Sequence, residues 1–488
     1  MTKGAPRIAI IGAGIGGLAA ALRLAHSGAA VTVFERHATP GGKMRTVPSV
    51  AGPIDAGPTV LTLKPVFDAL FSDAGLALED HVTMVPQNTL ARHFWPDGTR
   101  LDLMQDHTAS AQNIRTAFGA KSAQEFRGFA HRAAKLFDAF NPSMMQSAAP
   151  TIAGLARVVA TNPALIPALD PLRSLSRSLQ QQFTDPRLAQ LFARYATYVG
   201  GLPNASPALL SLIWHAEAQG VWHVKGGMHR LARAIEKCAM SLGATFHYNS
   251  QITRIEGQSG TARAVHTSDA RHVVDAVLFN GDPRALTTGL LGPAVENSFP
   301  NTAVEPRSLS ASVMSFAAIP KGVELSAHNV FFATDPHHEY APLVNNQPQT
   351  DPTLYVCAQD RFTDCTPTGA ERFEVILNSP PATTDKARHT CQTLILDRLS
   401  QYGLTFSPTP QGVTQPQDFA QMFPASQGSL YGRSPHGMMA AFKRPKARTS
   451  LRGLYLTGGG AHPGAGVPMA VLSAHHAVAA ILKDLPSI

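Results

Sequence analysis

Arg7-Ile-Ala-Ile-Ile-Gly-Ala-Gly-Ile-Gly-Gly17 is the stretch of this 488-residue chain that decides its fold. Ile8 to Ile11 is a short apolar run that reads as a buried strand. Leu18 to Ala25 repeats apolar residues at helical spacing, and Gly28 ends that helix. Val31 to Phe34 is the next strand. Between the first strand and the helix, Gly12, Gly14 and Gly17 supply G-x-G-x-x-G. The first glycine permits a tight turn, the second lets a pyrophosphate approach the backbone, and the third lets helix and strand pack closely. The helix opening here directs its free N–H groups and positive dipole end at the phosphates. Glu35 ends the second strand, where a carboxylate accepts both hydroxyls of an adenosine ribose. A glycine hexapeptide alone is weak evidence; with a strand before it, a helix after it and Glu35 beyond, it marks a dinucleotide site in a doubly wound unit.

Outward from that unit, Gly41-Gly42-Lys43 follows Glu35 by a few residues. The pair suits close approach of the chain to a cofactor, and a surface turn is the alternative reading. The most informative stretch lies near the C-terminus: Gly453-Leu-Tyr-Leu-Thr-Gly-Gly-Gly-Ala-His-Pro-Gly-Ala-Gly-Val-Pro-Met469. A strand, Leu454 to Thr457, delivers Gly458, Gly459 and Gly460 to a ligand, and Pro468 suits the first turn of a closing helix. The N-terminus of that helix would stabilise the negative charge of a reduced flavin.

This second stretch resembles the signature of the bacterial phytoene desaturase family, FAD-dependent carotenoid desaturases in which a glycine triplet is followed by His-Pro-Gly-x-Gly. Ser473 falls where that pattern places a small residue. The spacing Gly28–Val33–Glu35–Gly41–Gly42 resembles the extended fingerprint of FAD-dependent amine oxidases and polyene desaturases. Asp55-Ala-Gly-Pro-Thr59, Gly220-Val-Trp-His-Val-Lys-Gly-Gly-Met228 and Asn280-Gly-Asp-Pro283 resemble further family segments, Gly281 departing from the usual alanine. The resemblance spans nearly the whole chain and implies FAD as cofactor. It places Gly12, Gly14, Gly17, Glu35, Gly42, Lys43, Pro58, Thr59, Gly458, Gly459, Gly460, Gly466, Val467, Pro468 and Met469 at the cofactor. The stretch from Asp55 to Phe71 is most similar to the 1-hydroxycarotenoid 3,4-desaturases, also called methoxyneurosporene dehydrogenases.

The implied fold is α/β: a Rossmann-type FAD-binding domain assembled from residues 1–85, 222–290 and 450–488. A helical access lobe, 86–221, and a lobe with antiparallel sheet, 291–449, are inserted between those segments. Strands are expected at 307–318, 329–333, 353–358 and 371–377, and helices over 106–215, a stretch broken by prolines 142, 150, 163, 167 and 171.

Composition narrows the partners. The formal net charge is +8, with a basic stretch at Lys443, Arg444, Lys446, Arg448 and Arg452. It reads as a solvated loop or a contact for anionic lipid, and without interleaved aromatics it is no nucleic-acid platform. Cys238, Cys357, Cys365 and Cys391 show neither metal spacing nor disulfide density, so no metal is expected and reducing cytosol is the natural compartment. Residues 1–8 are too polar for a secretory signal. The apolar run Ile8 to Leu22 contains four glycines and falls short of the roughly 20 residues of a spanning helix. Leu155–Val159 and Leu165–Leu175, near Arg157 and Arg173, read either as core helices or as segments lying in a membrane interface.

Chemically, the resemblance implies removal of a hydride to the flavin and of a proton to a base, with oxygen or a quinone reoxidising the cofactor. The expected substrate is a carotenoid, oxidised at C-3,4, and the expected site of action is the cytoplasmic face of the inner membrane, peripherally bound. Glu217 is one candidate proton acceptor, a surface or salt-bridged acid being the other reading, and Asp170 is a second candidate. His462 either moves protons or holds its loop through a backbone hydrogen bond. Phytoene desaturation and a non-catalytic polyene carrier are the rivals. A flavin amine oxidase would need paired aromatics near the C-terminal segment, and none is seen there.

Overall fold

A computed structural model of the chain describes residues 4–336, 338–362, 367–381 and 388–485. Its first sheet is parallel and five-stranded, in the order Leu454–Leu456, Ala276–Phe279, Arg7–Ile11, Ala30–Phe34, Thr245–His247. Alternation along the first strand assigns the layers. Ile8 and Ile10 face a core shared with the helices Ile15–His26, Met228–Ser241 and Val467–Asp484; Ala9 and Ile11 face a second core roofed by an antiparallel sheet of Arg254–Gln258, Thr261–His266 and Arg271–Val273. Strands from three distant stretches of sequence thus build one nucleotide-binding layer.

The second sheet has seven strands, in the order Thr405–Ser407, Ser310–Lys321, Glu371–Ser379, Leu354–Ala358, His328–Phe331, Thr89–Phe94, Arg100–Met104. One face packs Phe316, Phe373, Val375 and Leu377 against Ile395 and Leu399 of the helix Arg388–Gln401. The last two strands correct the reading of 86–221 as helical from its start. Asn329 to Phe331 pairs in parallel with Arg92 to Phe94, so the segment opens by completing the sheet of the other lobe. A partner more than two hundred residues away leaves no local signature.

The helical lobe follows. His107–Phe140 starts at Asp106, whose carboxylate accepts from the Thr108 N–H at 2.8 Å, and breaks its helical geometry at Gly119, φ 91°. It packs Phe126 and Phe129 against Phe192 and Trp214. Ile152–Thr161 buries none of its residues, and Ile152, Ile166 and Leu172 are 59%, 50% and 94% exposed. Among the described residues no single helix is long and apolar enough to cross a membrane; the two apolar stretches Ile152–Thr161 and Pro163–Leu169 meet at 104°.

Candidate functional site

Five segments meet where the parallel sheet ends, and glycine makes each approach possible. At Gly17 a Cβ would run into the Gly12 carbonyl. At Gly16 it would stand 2.7 Å from Asn280 Oδ1 and 2.9 Å from Gly458 Cα, so the first glycine turn touches the last one. Gly42, at φ +59°, packs over Gly14, and the Gly41 N–H donates to the Ala13 carbonyl at 2.9 Å. Gly432, at φ +72°, packs on Gly460 in the same way. Gly12, Gly14, Gly42, Pro58, Gly459, Gly460 and Met469 remain partly accessible amid buried neighbours.

The polar groups of this glycine cradle are set for a dinucleotide. Glu35, 4% exposed, accepts from the Ala13 N–H at 2.7 Å and the His37 N–H at 2.8 Å, one on each carboxylate oxygen. Each oxygen keeps a lone pair for a ribose hydroxyl. Neither Ile15–His26 nor Val467–Asp484 has a side-chain cap, so both N-termini present N–H donors to a phosphate or an electron-rich ring. Lys43 is reached by water yet crowded by protein, and its ammonium donates to the Leu430 carbonyl at 2.5 Å. Desolvation lowers its pKa to about 8; Asp282 opposes the fall while Arg307 and Arg444 deepen it. This cradle fits FAD: added Cβ atoms would fill it, and its donors match the cofactor's phosphates.

Two of the sequence segments are joined by one residue. Asp55 caps the helix Met228–Ser241, its carboxylate accepting from the Met228 N–H at 2.6 Å and the His229 N–H at 3.2 Å. Gln359 clasps the Asp55 backbone on both sides, at 3.0 and 2.8 Å. Pro58 and Thr59 are thereby fixed against the second sheet, where Thr59 Oγ1 lies 2.9 Å from Tyr355 Oη.

The chemical candidates fall elsewhere. Glu217 is not a surface acid: it is 3% exposed in the helical lobe and accepts from the Tyr195 hydroxyl at 2.7 Å. Burial pushes its carboxyl up, while Arg194 and the hydroxyls of Tyr195 and Tyr198 pull it down. Asp170 pairs with Arg173 at 3.0 Å. His462 ties its loop to a distant backbone segment: its Nε2 lies 2.7 Å from the Ser147 carbonyl, while His476 Nε2 lies 3.0 Å from that of Met145. Burial lowers the His462 pKa to about 4, so the ring is neutral at pH 7 and donates to Ser147.

The basic stretch divides: Lys443, Arg448 and Arg452 are exposed, as in a solvated loop, and Arg444 is not. Arg444, 7% exposed, donates to the carbonyls of Gly459, Tyr431 and Arg433 at 3.1, 3.0 and 2.7 Å, and Arg448 pairs with Asp484 at 2.8 Å. A charge run in sequence does not reveal carbonyls delivered from elsewhere in the chain. Sequence reasoning also passed over the buried Asp282–Arg307 ion pair, and Glu374, fully buried with neither carboxylate oxygen hydrogen-bonded. An acid within the apolar run Phe373 to Leu377 was the available signal.

A family model described as flavin containing amine oxidoreductase matches residues 15–482. The chain belongs to the flavin-containing amine oxidoreductase family. FAD is accordingly the cofactor, and the family member is an oxidoreductase. It is 50% identical to the hydroxyneurosporene desaturase of Cereibacter sphaeroides over 99% of this chain and 98% of the relative. With the hydroxyneurosporene desaturase of Rhodobacter capsulatus the identity is 47%, covering 98% of each. Among solved structures, cyclohexylamine oxidase from Brevibacterium oxydans superposes with a TM-score of 0.61 at 17% identity, over 99% of this chain and 100% of that one. An oxidoreductase from Methanosarcina mazei gives 0.61 at 16%, over 98% and 100%. At these identities the structural likeness concerns the fold of this flavoprotein.

Proposed function

We propose that the chain is an FAD-dependent carotenoid desaturase that introduces the C-3,4 double bond into 1-hydroxy or 1-methoxy carotenoids of the neurosporene and lycopene type. The full-length likeness to two hydroxyneurosporene desaturases carries this reading. When bound, FAD would supply the two-electron acceptor for the hydride released from a C–H bond of the saturated carbon pair. The chain's share is to hold the cofactor on the glycine cradle, to lay the polyene between the second sheet and the helical lobe, and to exclude water. A conjugated chain beside the reacting carbon spreads the positive charge that develops as hydride leaves. Glu217 Oε1 accepts from Tyr195 and the His462 ring donates to Ser147, and a water beside the reacting carbon would serve as acceptor of the departing proton.

A carotenoid dissolves only in a bilayer, so the reading includes peripheral binding at the cytoplasmic face of a membrane. The exposed apolar side chains of Ile152, Ile166 and Leu172 support the stretch 152–172 as the contact. Oxygen or a membrane quinone would reoxidise the flavin.

The test is reconstitution of the holoenzyme in liposomes with 1-hydroxyneurosporene and phytoene offered separately, products being separated by chromatography. A product two hydrogens lighter and absorbing at longer wavelength, from the hydroxylated substrate alone, is expected. Conversion of phytoene would move the assignment to an earlier desaturation.

A further inference from the structure

The sheet face opposite the Phe316–Phe373 core is polar where a wall for a hydrocarbon would be apolar. His328, Cys357, Glu374 and Ser315 occupy one cross-strand row on four neighbouring strands. His328 Nε2 and Ser315 Oγ are buried without hydrogen-bond partners, as are both Glu374 oxygens. Next to that row stands Tyr355, half-buried against the helical lobe, its Oη 2.7 Å from His328 Nδ1 and 2.9 Å from Thr59 Oγ1. The Cys357 thiol, a weak partner, lies against both hydroxyls. Thr59 ties this chain of groups to the cofactor cradle: Gly57, two residues before it, packs directly on the Lys43 carbonyl.

The proton inventory of the chain is uneven. Thr59, Tyr355 and a neutral His328 bring three protons, and the two bonds between them use two. Burial lowers the His328 pKa to about 3 and raises that of the Tyr355 phenol, so neither group is charged. The spare proton resides either on His328 Nε2, enclosed without an acceptor, or on Thr59, beside the cradle. The second arrangement avoids the enclosed Nε2–H and leaves the buried Thr59 O–H, whose other neighbour is only the weak Cys357 sulfur, to donate to a ligand.

The substrate chemistry fits that donor. The oxygen on C-1 is attached only two carbon–carbon bonds from C-3, so whatever reads it must stand beside the reacting bond. A hydroxyl and a methoxy oxygen both accept a hydrogen bond, and a polyene without C-1 oxygen does not. We infer that Thr59 and Tyr355, backed by His328, form the subsite that binds the C-1 oxygen and sets the preference for oxygenated over unoxygenated carotenoids. The inference rests on the activity proposed above. A site built around a substrate oxygen discriminates strongly against the analogue that lacks it.

The test compares kcat/KM for 1-hydroxyneurosporene and neurosporene in liposomes, using the holoenzyme and its Thr59→Val, Tyr355→Phe and Thr59→Ser variants. The wild type is expected to favour the hydroxylated substrate. Thr59→Val and Tyr355→Phe should cut that preference about tenfold, mainly through KM, the effect of one lost hydrogen bond. Thr59→Ser, which keeps the hydroxyl, should retain it. Each variant must show the bound-flavin spectrum; if Thr59→Val does not, Tyr355→Phe decides. Equal losses on both substrates, or an unchanged preference, overturn the subsite. A wild type inactive on the hydroxylated substrate but active on another carotenoid overturns instead the activity on which it rests.

Discussion

The side-chain amide of Asn280 donates to the carbonyls of Gly12 at 3.0 Å and Gly14 at 3.3 Å, fastening the first glycine turn to a strand end 268 residues away. The same residue touches the second glycine segment, since a Cβ on Gly458 would lie 2.5 Å from Asn280 Oδ1. One side chain therefore registers both glycine motifs. Asn280→Ala should weaken FAD binding roughly thirtyfold, at about 1 kcal/mol for each of the two lost hydrogen bonds. Gly458→Ala, at φ +96°, adds backbone strain and should leave the purified protein largely without flavin. Flavin absorbance relative to protein measures both.

Glu35 serves two backbone N–H groups, and in the proposed FAD site it would accept from the ribose as well, so acceptor capacity matters more there than charge. Glu35→Gln presents an amide NH₂ to one of those N–H groups. The clash should cost about 1–3 kcal/mol and raise the FAD dissociation constant roughly ten- to a hundredfold, read by quenching of flavin fluorescence.

Arg444 satisfies three carbonyls on two segments. Arg444→Met keeps the apolar stem and removes the fork, and should destabilise the protein by about 3 kcal/mol, measured as the urea midpoint at constant m. Arg444→Lys should recover only part of the loss, because one ammonium does not reproduce the planar fork.

The His462 ring gives the fold a defined acid weakness. Its pKa falls from 6.5 to about 4 on folding, through burial first. The unfolded chain therefore binds the proton between those values and the folded chain does not, so this stability is complete above pH 6.5 and is lost as pH falls toward 4. The shift corresponds to about 3 kcal/mol. His462→Gln, which still donates to Ser147, should flatten the dependence of urea stability on pH across that window while leaving it nearly unchanged at pH 8.

Leu172 and Ile152 are exposed apolar side chains with no role in the cradle. Leu172→Glu with Ile152→Glu should reduce co-sedimentation with liposomes several-fold at unchanged flavin content, by loss of buried apolar area and repulsion from anionic lipid. Undiminished co-sedimentation would contradict membrane contact through this stretch.

What the sequence made legible is what local geometry dictates. Gly12, Gly14, Gly17 and Gly458 are demanded by close approaches within short motifs, and the strands expected at 307–318 and 371–377 are found at Ser310–Lys321 and Glu371–Ser379. The rest depends on distant partners. Arg92 and Asn329 pair across two lobes, Thr59 meets Tyr355 at 296 residues' separation, and Arg444 finds its carbonyls only after folding. Glu217 reads as a surface acid because the residues that bury it, Tyr195 and Arg194, lie a full helix away in sequence.

The central claim is that a hydroxylated carotenoid delivers electrons to a flavin held on this cradle. Anaerobic mixing of the holoenzyme in liposomes with 1-hydroxyneurosporene tests it without an external electron acceptor. The account predicts bleaching of the oxidised flavin band, one flavin per double bond formed, with a product two hydrogens lighter. A flavin that stays oxidised while the carotenoid binds would contradict the account and leave a polyene carrier in its place.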